Sequence, residues 1–304
     1  MNIRNIFFPG KWEIVITKKD PFCRSDFLDD FGDIVLRPGF RSYWADPFIV
    51  RDQERIFVFF EEYLLQERRG RIQCVEVNMD GTHTKPVTVI TDVFHLSFPN
   101  VFRFEGSWYL VPETCKEKCI RLYKATKFPY RWEYVGNLMD DIDAVDCAFI
   151  QRDGIWFLMT SHPGAGGVDD RGSISVYYSY SPISLGSWKH HPQNPVVSNC
   201  QTGRNGGSVI SRNTGVFRPA QNSESDYGKS LSIMKIEEIS SISYSESFQF
   251  ALTPNGTRFS NLHTLNNVNE LWCYDRNRVS LKSIISRTIY RLYGFLLDRF
   301  GKRA

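Results

Sequence analysis

Long apolar runs are missing. No stretch of about 18 uncharged hydrophobic residues, the length a membrane-spanning helix needs, occurs in the 304 residues. The opening "MNIRNIFFPGKWEIVI" has no continuous apolar segment ending in small residues, so no secretory signal is expected and a cytoplasmic location is the default. Paired cysteines are missing too. The seven, Cys23, Cys74, Cys115, Cys119, Cys147, Cys200 and Cys273, are scattered without C-x-x-C pairs, so reduced thiols filling the interior are expected. Six histidines show no H-E-x-x-H or comparable ligand spacing, and no metal is expected. No strong charge excess is present: net charge is +3, with 42% hydrophobic, 14% aromatic and 23% charged residues. That balance describes a folded globular chain and excludes a disordered one.

What the sequence does have is a repeat. "YWADPFIVRDQERIFVFFEE" reads as two antiparallel strands around the polar turn "RDQER". The start of the first strand and the end of the second then share one edge, which brings Asp46 towards Glu61 and Glu62. Only one of those two glutamates can face inward, because neighbouring side chains on a strand point to opposite faces. The same layout recurs in "SFPNVFRFEGSWYLVPE", "VDCAFIQRDGIWFLMTSH", "NGGSVISRNTGVFRPAQ" and "SNLHTLNNVNELWCYD". The repeats are anchored near Asp46, Pro99, Asp146, Gly206 and Asn261. This spacing is close to the ~50-residue period at which one unit is a four-stranded propeller blade. "RIQCVEVNMDGTHTKPVTVI", "IRLYKATKFPYRWEYVGNL" and "SISVYYSYSPISLGSWKHHP" supply third and fourth strands. The expected fold is therefore all-β: a five-bladed β-propeller over residues 1–275.

If the first strand of each unit lines the central channel, the strand-one starts and strand-two ends converge on one face. That face gathers Arg41, Asp46, Glu61, Glu62, Pro99, Asn100, Glu113, Asp146, Ser161, His162, Arg204, Gln221, Asn261 and His263. Several carboxylates desolvated together cost free energy unless paired, solvated or used, so a polar pocket at the channel mouth is expected. "DDIDAVD" also contains Asp141-Ile142-Asp143, a D-x-D pattern too short to be specific.

The motifs "YWADPF", "HLSFPNVF...WYLVPE", "GRNGGSVIS....VFRPAQNSESDYGKSLSI" and "GTRFSNLHTLN" resemble those of a five-bladed propeller family. It is the N-terminal domain of plant glucosamine inositolphosphorylceramide transferases, with relatives in bacterial polysaccharide gene sets. That fold is in turn similar to the propellers of glycoside hydrolase families 43 and 32. The resemblance spans about residues 40–275. In those hydrolases a base or nucleophile on the first blade, a pKa-tuning aspartate and a glutamate acid work at the channel. It implies Asp46 in the first role, with Glu113 and Asp146 as candidates for the others. The order here, Asp, Glu, Asp, departs from the hydrolase order Asp, Asp, Glu.

After the last repeat, "RNRVSLKSIISRTIYRLYGFLLDRFGKRA" places Leu281, Ile285, Ile289, Leu292, Leu296 and Phe300 at three-to-four spacing. An amphipathic helix over 276–304 is the expectation. This segment carries +7, which leaves −4 for residues 1–275. A basic, aromatic-rich helix suits an anionic membrane surface, and no stacking platform accompanies the charges to suggest nucleic acid.

Together these features point to a glycosyltransferase of bacterial surface-polysaccharide synthesis, peripheral on the inner face of the cytoplasmic membrane. It would move a sugar from a nucleotide-sugar donor to a lipid-linked or oligosaccharide acceptor. No cofactor is expected. Asp46 is the expected base, with Glu113 and Asp146 as partners. Arg204 and Arg218 are expected to hold donor phosphates, with Gly206 and Gly207 admitting close backbone approach. Arg41, Trp44, Asn100, His162, Gln221, Asn261 and His263 are expected sugar ligands. The alternatives are a furanoside-type glycoside hydrolase using the same carboxylates, and a non-catalytic carbohydrate-binding propeller.

Overall fold

The computed structural model describes residues 11–278 except 24–26, 30–31, 40, 163–171, 225–227 and 255–258. The chain folds as a five-bladed β-propeller of antiparallel sheets. Blade one runs through Ser42–Asp52, Arg55–Leu64, Arg69–Val77 and Val87–Ile90. Blade two comprises Ser97–Phe104, Ser107–Glu113, Cys119–Lys127 and Arg131–Asp140. Blade three has Val145–Arg152, Ile155–His162, Ser173–Ser179 and the short Lys189–His190, with Val197–Ser198 also on its third strand. Blade four has Ile210–Arg212, Gly215–Asn222, Ser230–Ile239 and Tyr244–Leu252.

Blade five is assembled from both ends of the described chain. Phe259–Asn261 and Leu265–Val268 pair with Leu271–Arg278. The outer two strands are Lys11–Thr17 and Ile34–Leu36. The register Lys11↔Arg278 through Thr17↔Trp272 closes the ring with main-chain hydrogen bonds. Blade five thus has no open edge where the ring meets, which removes a row of unpaired N–H and C=O groups.

Alternation decides which residues pack where. On the second strand of blade one, Phe57 and Phe59 join a core with Phe98 and Leu110 of blade two, while Val58 and Phe60 join Ile14 and Cys273 of blade five. Three further clusters fill the spaces between blades two and three, three and four, and four and five. Each blade is therefore buried on both faces, which explains the nearly continuous apolar runs in the sequence. No disulfide occurs among the described residues; Cys74, Cys119, Cys147 and Cys273 are buried thiols.

The expected boundary at 275 is displaced. The last strand continues through Arg278, and buried Arg276 donates twice to Glu13 Oε1, at 2.9 and 2.7 Å. Arg37 reaches the other oxygen of Glu13 at 3.0 Å. The amphipathic helix expected over 276–304 therefore cannot include 276–278. The rest of it, residues 279–304, lies outside the described residues.

Candidate active site

Three blades begin with the same backbone device. The register slips between Ala45 and Phe48, between Ser97 and Asn100, and between Val145 and Ala148. At each bulge one residue is left-handed: Asp46 (φ 50), Phe98 (φ 44) and Asp146 (φ 53). A bulge re-aims a side chain and suits active-site edges. Aspartate tolerates the left-handed conformation better than most residues. Asp46 and Asp146 are therefore structural equivalents. In blade two the place is taken by buried Phe98, and the carboxyl group comes from Glu113 on the facing strand, opposite Ser97. Glu113 thus matches Glu61 and Ser161, which face Ala45 and Val145. It sits at the end of the second strand, as the layout of the repeats in the sequence suggested.

Asp46 is buried and well held. Thr264 Oγ1 donates to its Oδ1 at 2.8 Å, and the Phe98 N–H reaches its Oδ2 at 3.3 Å. Its own N–H donates to Asp275 Oδ2 at 2.9 Å. Asp275 lies fully buried beneath, accepting from the N–H groups of His263 and Thr264 and from His263 Nδ1 at 2.6 Å. His263 is stacked on Trp12 with centroids 4.2 Å apart. Burial works against charging His263, but Asp275 and then Asp46 outweigh it and raise its pKa. The ligand atoms of Asp46, His263 and Asp275 lie within 4.8 Å of one another. Their mutual hydrogen bonds already account for the arrangement.

On the far side, Arg204 Nε donates to Asp146 Oδ2 at 2.5 Å, and Gln221 Nε2 approaches the same oxygen at 3.4 Å. Asn205 fixes the Asp146 backbone by donating to its carbonyl at 2.8 Å. Asp46, Glu61, Glu113, Asp146 and Asp275 thus form one acidic cluster, faced by Arg204 and His263.

Crowding and desolvation move protons in this cluster. Burial pushes Asp46 up to about 6 against the opposing pull of His263, with Asp275 and Asp146 adding to the rise. Burial, then Asp146, pushes Glu113 up from the ordinary 4.5 to about 8 although Arg204 opposes. Two neighbouring carboxyl groups with separated proton affinities are what a base and an acid require. A stability consequence follows. The folded chain holds the Glu113 proton more tightly than the unfolded chain does, so stability falls as pH rises from about 4.5 through about 8. Glu113→Gln is expected to raise stability by about 1–3 kcal/mol at pH 9 and to change little at pH 5, as measured by urea unfolding at both values.

Several expected ligands serve the scaffold instead. Trp44 is buried against Phe60 and donates to Glu62 Oε1 at 3.3 Å, because alternation turns it to the face opposite the site. Glu62 binds Arg71 and Gln73 on that face, so of the glutamate pair only Glu61 turns inward. Arg218 is fully buried and clamps Glu246 with bonds of 2.9 and 2.6 Å, so it is committed within blade four and does not await a phosphate. A Cβ on Gly206 would lie 2.5 Å from Leu231 Cδ2, and one on Gly207 2.0 Å from the Leu265 carbonyl oxygen. These glycines let blades four and five touch; the group that approaches is protein. Arg41 is exposed at the entry to blade one, where its carbonyl accepts from Leu65. Asn100 donates to the Cys147 carbonyl at 2.9 Å and ties blade two to blade three. His162 Nδ1 lies 2.9 Å from the Asp143 carbonyl. Asn261 is buried in blade five beside the last strand.

The structure thus brings together Asp46, Glu113, Asp146, Arg204, Gln221 and His263. It adds Asp275, Thr264 and Asn205, which sequence reasoning missed. "HT" and "YD" within the fifth repeat were the available signal.

The family model described as glucosamine inositolphosphorylceramide transferase 1, N-terminal, matches residues 35–259. The protein called glucosamine inositolphosphorylceramide transferase 1 in Oryza sativa subsp. japonica is 33% identical over 208 residues, 67% of this chain and 28% of that protein. Its namesake in Arabidopsis thaliana is 30% identical over 67% of this chain and 27% of that protein. The chain spans little more than a quarter of these relatives. Among solved structures, an α-L-arabinofuranosidase from Lactobacillus brevis superposes with TM-score 0.53 at 14% identity, covering 74% of this chain and 79% of that one. A family 117 glycoside hydrolase from Zobellia galactanivorans gives 0.53 at 12%, covering 78% and 85%. These likenesses concern the fold.

Proposed function

Because the chain belongs to the glucosamine inositolphosphorylceramide transferase 1 N-terminal family, we propose that its channel mouth binds a sugar and takes part in glycosyl transfer. The observation that carries this reading is the carboxyl pair with separated proton affinities, Asp46 at about 6 and Glu113 at about 8, on equivalent edges of adjacent blades. Asp46 would take a proton from the acceptor hydroxyl as its oxygen bonds to the anomeric carbon, while the bond from that carbon to the donor's phosphate oxygen breaks and the nucleotide leaves with the electron pair. Glu113, protonated at neutral pH, would hydrogen-bond a second sugar oxygen. Arg204 would hold Asp146 in place.

The donor remains a nucleotide sugar in this proposal, but its phosphates are not assigned to Arg204 and Arg218, which carboxylates engage. An acceptor carried on a lipid, at the inner face of the cytoplasmic membrane of a bacterium making surface polysaccharide, suits the basic residues that follow 278. Hydrolysis is the second reading, favoured by the equivalence of Asp46 and Asp146. The hydrolase order would place the acid after Asp146, where blade four offers the amides Asn205 and Gln221. That weighs towards transfer.

Saturation-transfer NMR against nucleotide sugars and free oligosaccharides tests the proposal. Binding of one nucleotide sugar together with a glycan acceptor is the expected result. Binding of oligosaccharides alone, with their cleavage, would replace transfer by hydrolysis.

A further inference from the structure

The channel mouth contains a carboxyl group that the roles above leave unused. Glu61 is 4% exposed, and its Oε1 is enclosed with no hydrogen-bond partner among the described residues. Its counterparts on blades three and four are engaged. Ser161 Oγ accepts from the Asn205 N–H at 2.8 Å, and Gln221 Nε2 donates to the Asn205 carbonyl at 2.8 Å. Leaving a buried polar group unpaired costs about 1–3 kcal/mol, and such groups call for an explanation.

The surroundings are fitted to this side chain. A Cβ on Gly70, on the adjacent strand, would sit 2.5 Å from Glu61 Oε1 and 2.3 Å from the Leu96 carbonyl oxygen, so only glycine leaves room for Glu61. The same Gly70 donates its N–H to His95 Nδ1 at 2.8 Å. Burial lowers His95 to about 4, so the ring is neutral at physiological pH. With Nδ1 accepting, its proton is on Nε2, which faces Glu61 Oε1 at 3.7 Å. That separation exceeds a hydrogen bond and leaves Oε1 unsatisfied.

Burial and the surrounding carboxyl groups favour the neutral form of Glu61. Burial acts first, then Asp46 on its own blade, Glu113 from blade two, Asp275 from blade five and Asp146 from blade three, and together they raise its pKa well above the ordinary value. His95 is neutral, and Tyr63, raised by burial and by Glu61 itself, stays protonated. Arg204 and His263 are engaged by Asp146 and Asp275. A buried, neutral carboxyl group has one strong hydrogen to give and needs an acceptor.

We propose that Glu61 is a further sugar-contacting residue, whose carboxylic O–H donates to a hydroxyl or ring oxygen of a neutral sugar seated in the channel mouth, its side chain occupying the room that Gly70 leaves. This rests on the reading of the mouth as a sugar site and adds to it the chemistry selected. At this contact a neutral sugar ring is accepted, while a uronate would put a carboxylate into a cluster whose two facing cations are already engaged. The contact is lost when Glu61 ionises, so affinity declines with rising pH.

Two measurements on the full chain test it. In the ligand-free protein, the infrared carbonyl band of protonated carboxyl groups at neutral pH should lose one component in Glu61→Gln and a different one in Glu113→Gln. In titrations with methyl glucoside, methyl mannoside, methyl galactoside and glucuronate, a neutral glycoside should bind and glucuronate should not. Glu61→Ala should weaken binding about tenfold. Glu61→Gln, whose amide can still donate, should stay within about twofold of wild type at pH 6 and lose the part of the decline with pH that Glu113→Gln retains. If a glycoside binds but Glu61→Ala binds equally well, or the infrared component is missing, the Glu61 assignment is overturned while the sugar site stands. If no glycoside or oligosaccharide binds wild type although the band is present, the sugar site itself is overturned, and the assignment with it.

Discussion

Asp46→Asn is expected to lower the rate of sugar transfer by about 10²–10⁴-fold, the range for loss of a positioned general base, with little change in melting temperature. Asparagine is tolerated at φ 50. It can still accept from the Phe98 N–H, with its amide turned to Thr264 Oγ1, which has lone pairs to accept. The loss is therefore chemical. In wild type the rate should rise as pH passes about 6, where Asp46 gives up its proton, and fall as pH passes about 8, where Glu113 gives up its own. Single-turnover rates with the donor and acceptor found by binding measure both limbs. A variant within a few-fold of wild type would sink the catalytic assignment and leave a binding propeller.

The second large effect concerns the scaffold behind the site. Arg218→Leu removes the cation that fills a fully buried position and leaves Glu246 without its clamp. Breaking a buried pair by deleting one partner costs about 3–5 kcal/mol, a large share of the ~5–15 kcal/mol that holds a typical domain. A fall in melting temperature on the order of 10 °C is expected by circular dichroism. The double variant Arg218→Leu, Glu246→Leu should recover part of it, because no buried charge is then left unpaired. The single change also removes a partner from Asn205 Oδ1, at 3.3 Å, and so loosens the residue that holds the Asp146 carbonyl. If Arg218→Leu melts with wild type, the clamp contributes nothing.

The blades were legible because each unit repeats the same local pattern, and Asp46 was legible because a charged residue inside an apolar run conflicts with burial. The direction of a side chain was harder to read. Trp44 and Asp46 lie two apart and look alike in a list, yet the bulge at Ala45/Phe48 breaks the alternation and sends them to different surroundings. Arg218 was mistaken for a ligand because nothing local announces Glu246, which lies 28 residues on and across the blade. Asp275 was missed for a similar reason: its partner Asp46 lies 229 residues away on blade one, which "WCYD" does not advertise.

That closure sets an order of events during synthesis. Glu13 and Arg276 are 263 residues apart, so the strand Lys11–Thr17 must wait for Leu271–Arg278 before it has a ladder to join. Blades one to four are each contiguous in the chain and can form as they emerge. The fifth, together with the Asp275 support beneath Asp46, can be completed only after its last strand has left the ribosome. Until then Ile14 and Ile16 lack their inner-strand neighbours Leu271 and Cys273, an interval in which a chaperone has apolar surface to hold. The active site should therefore be completed only after blades one to four have formed.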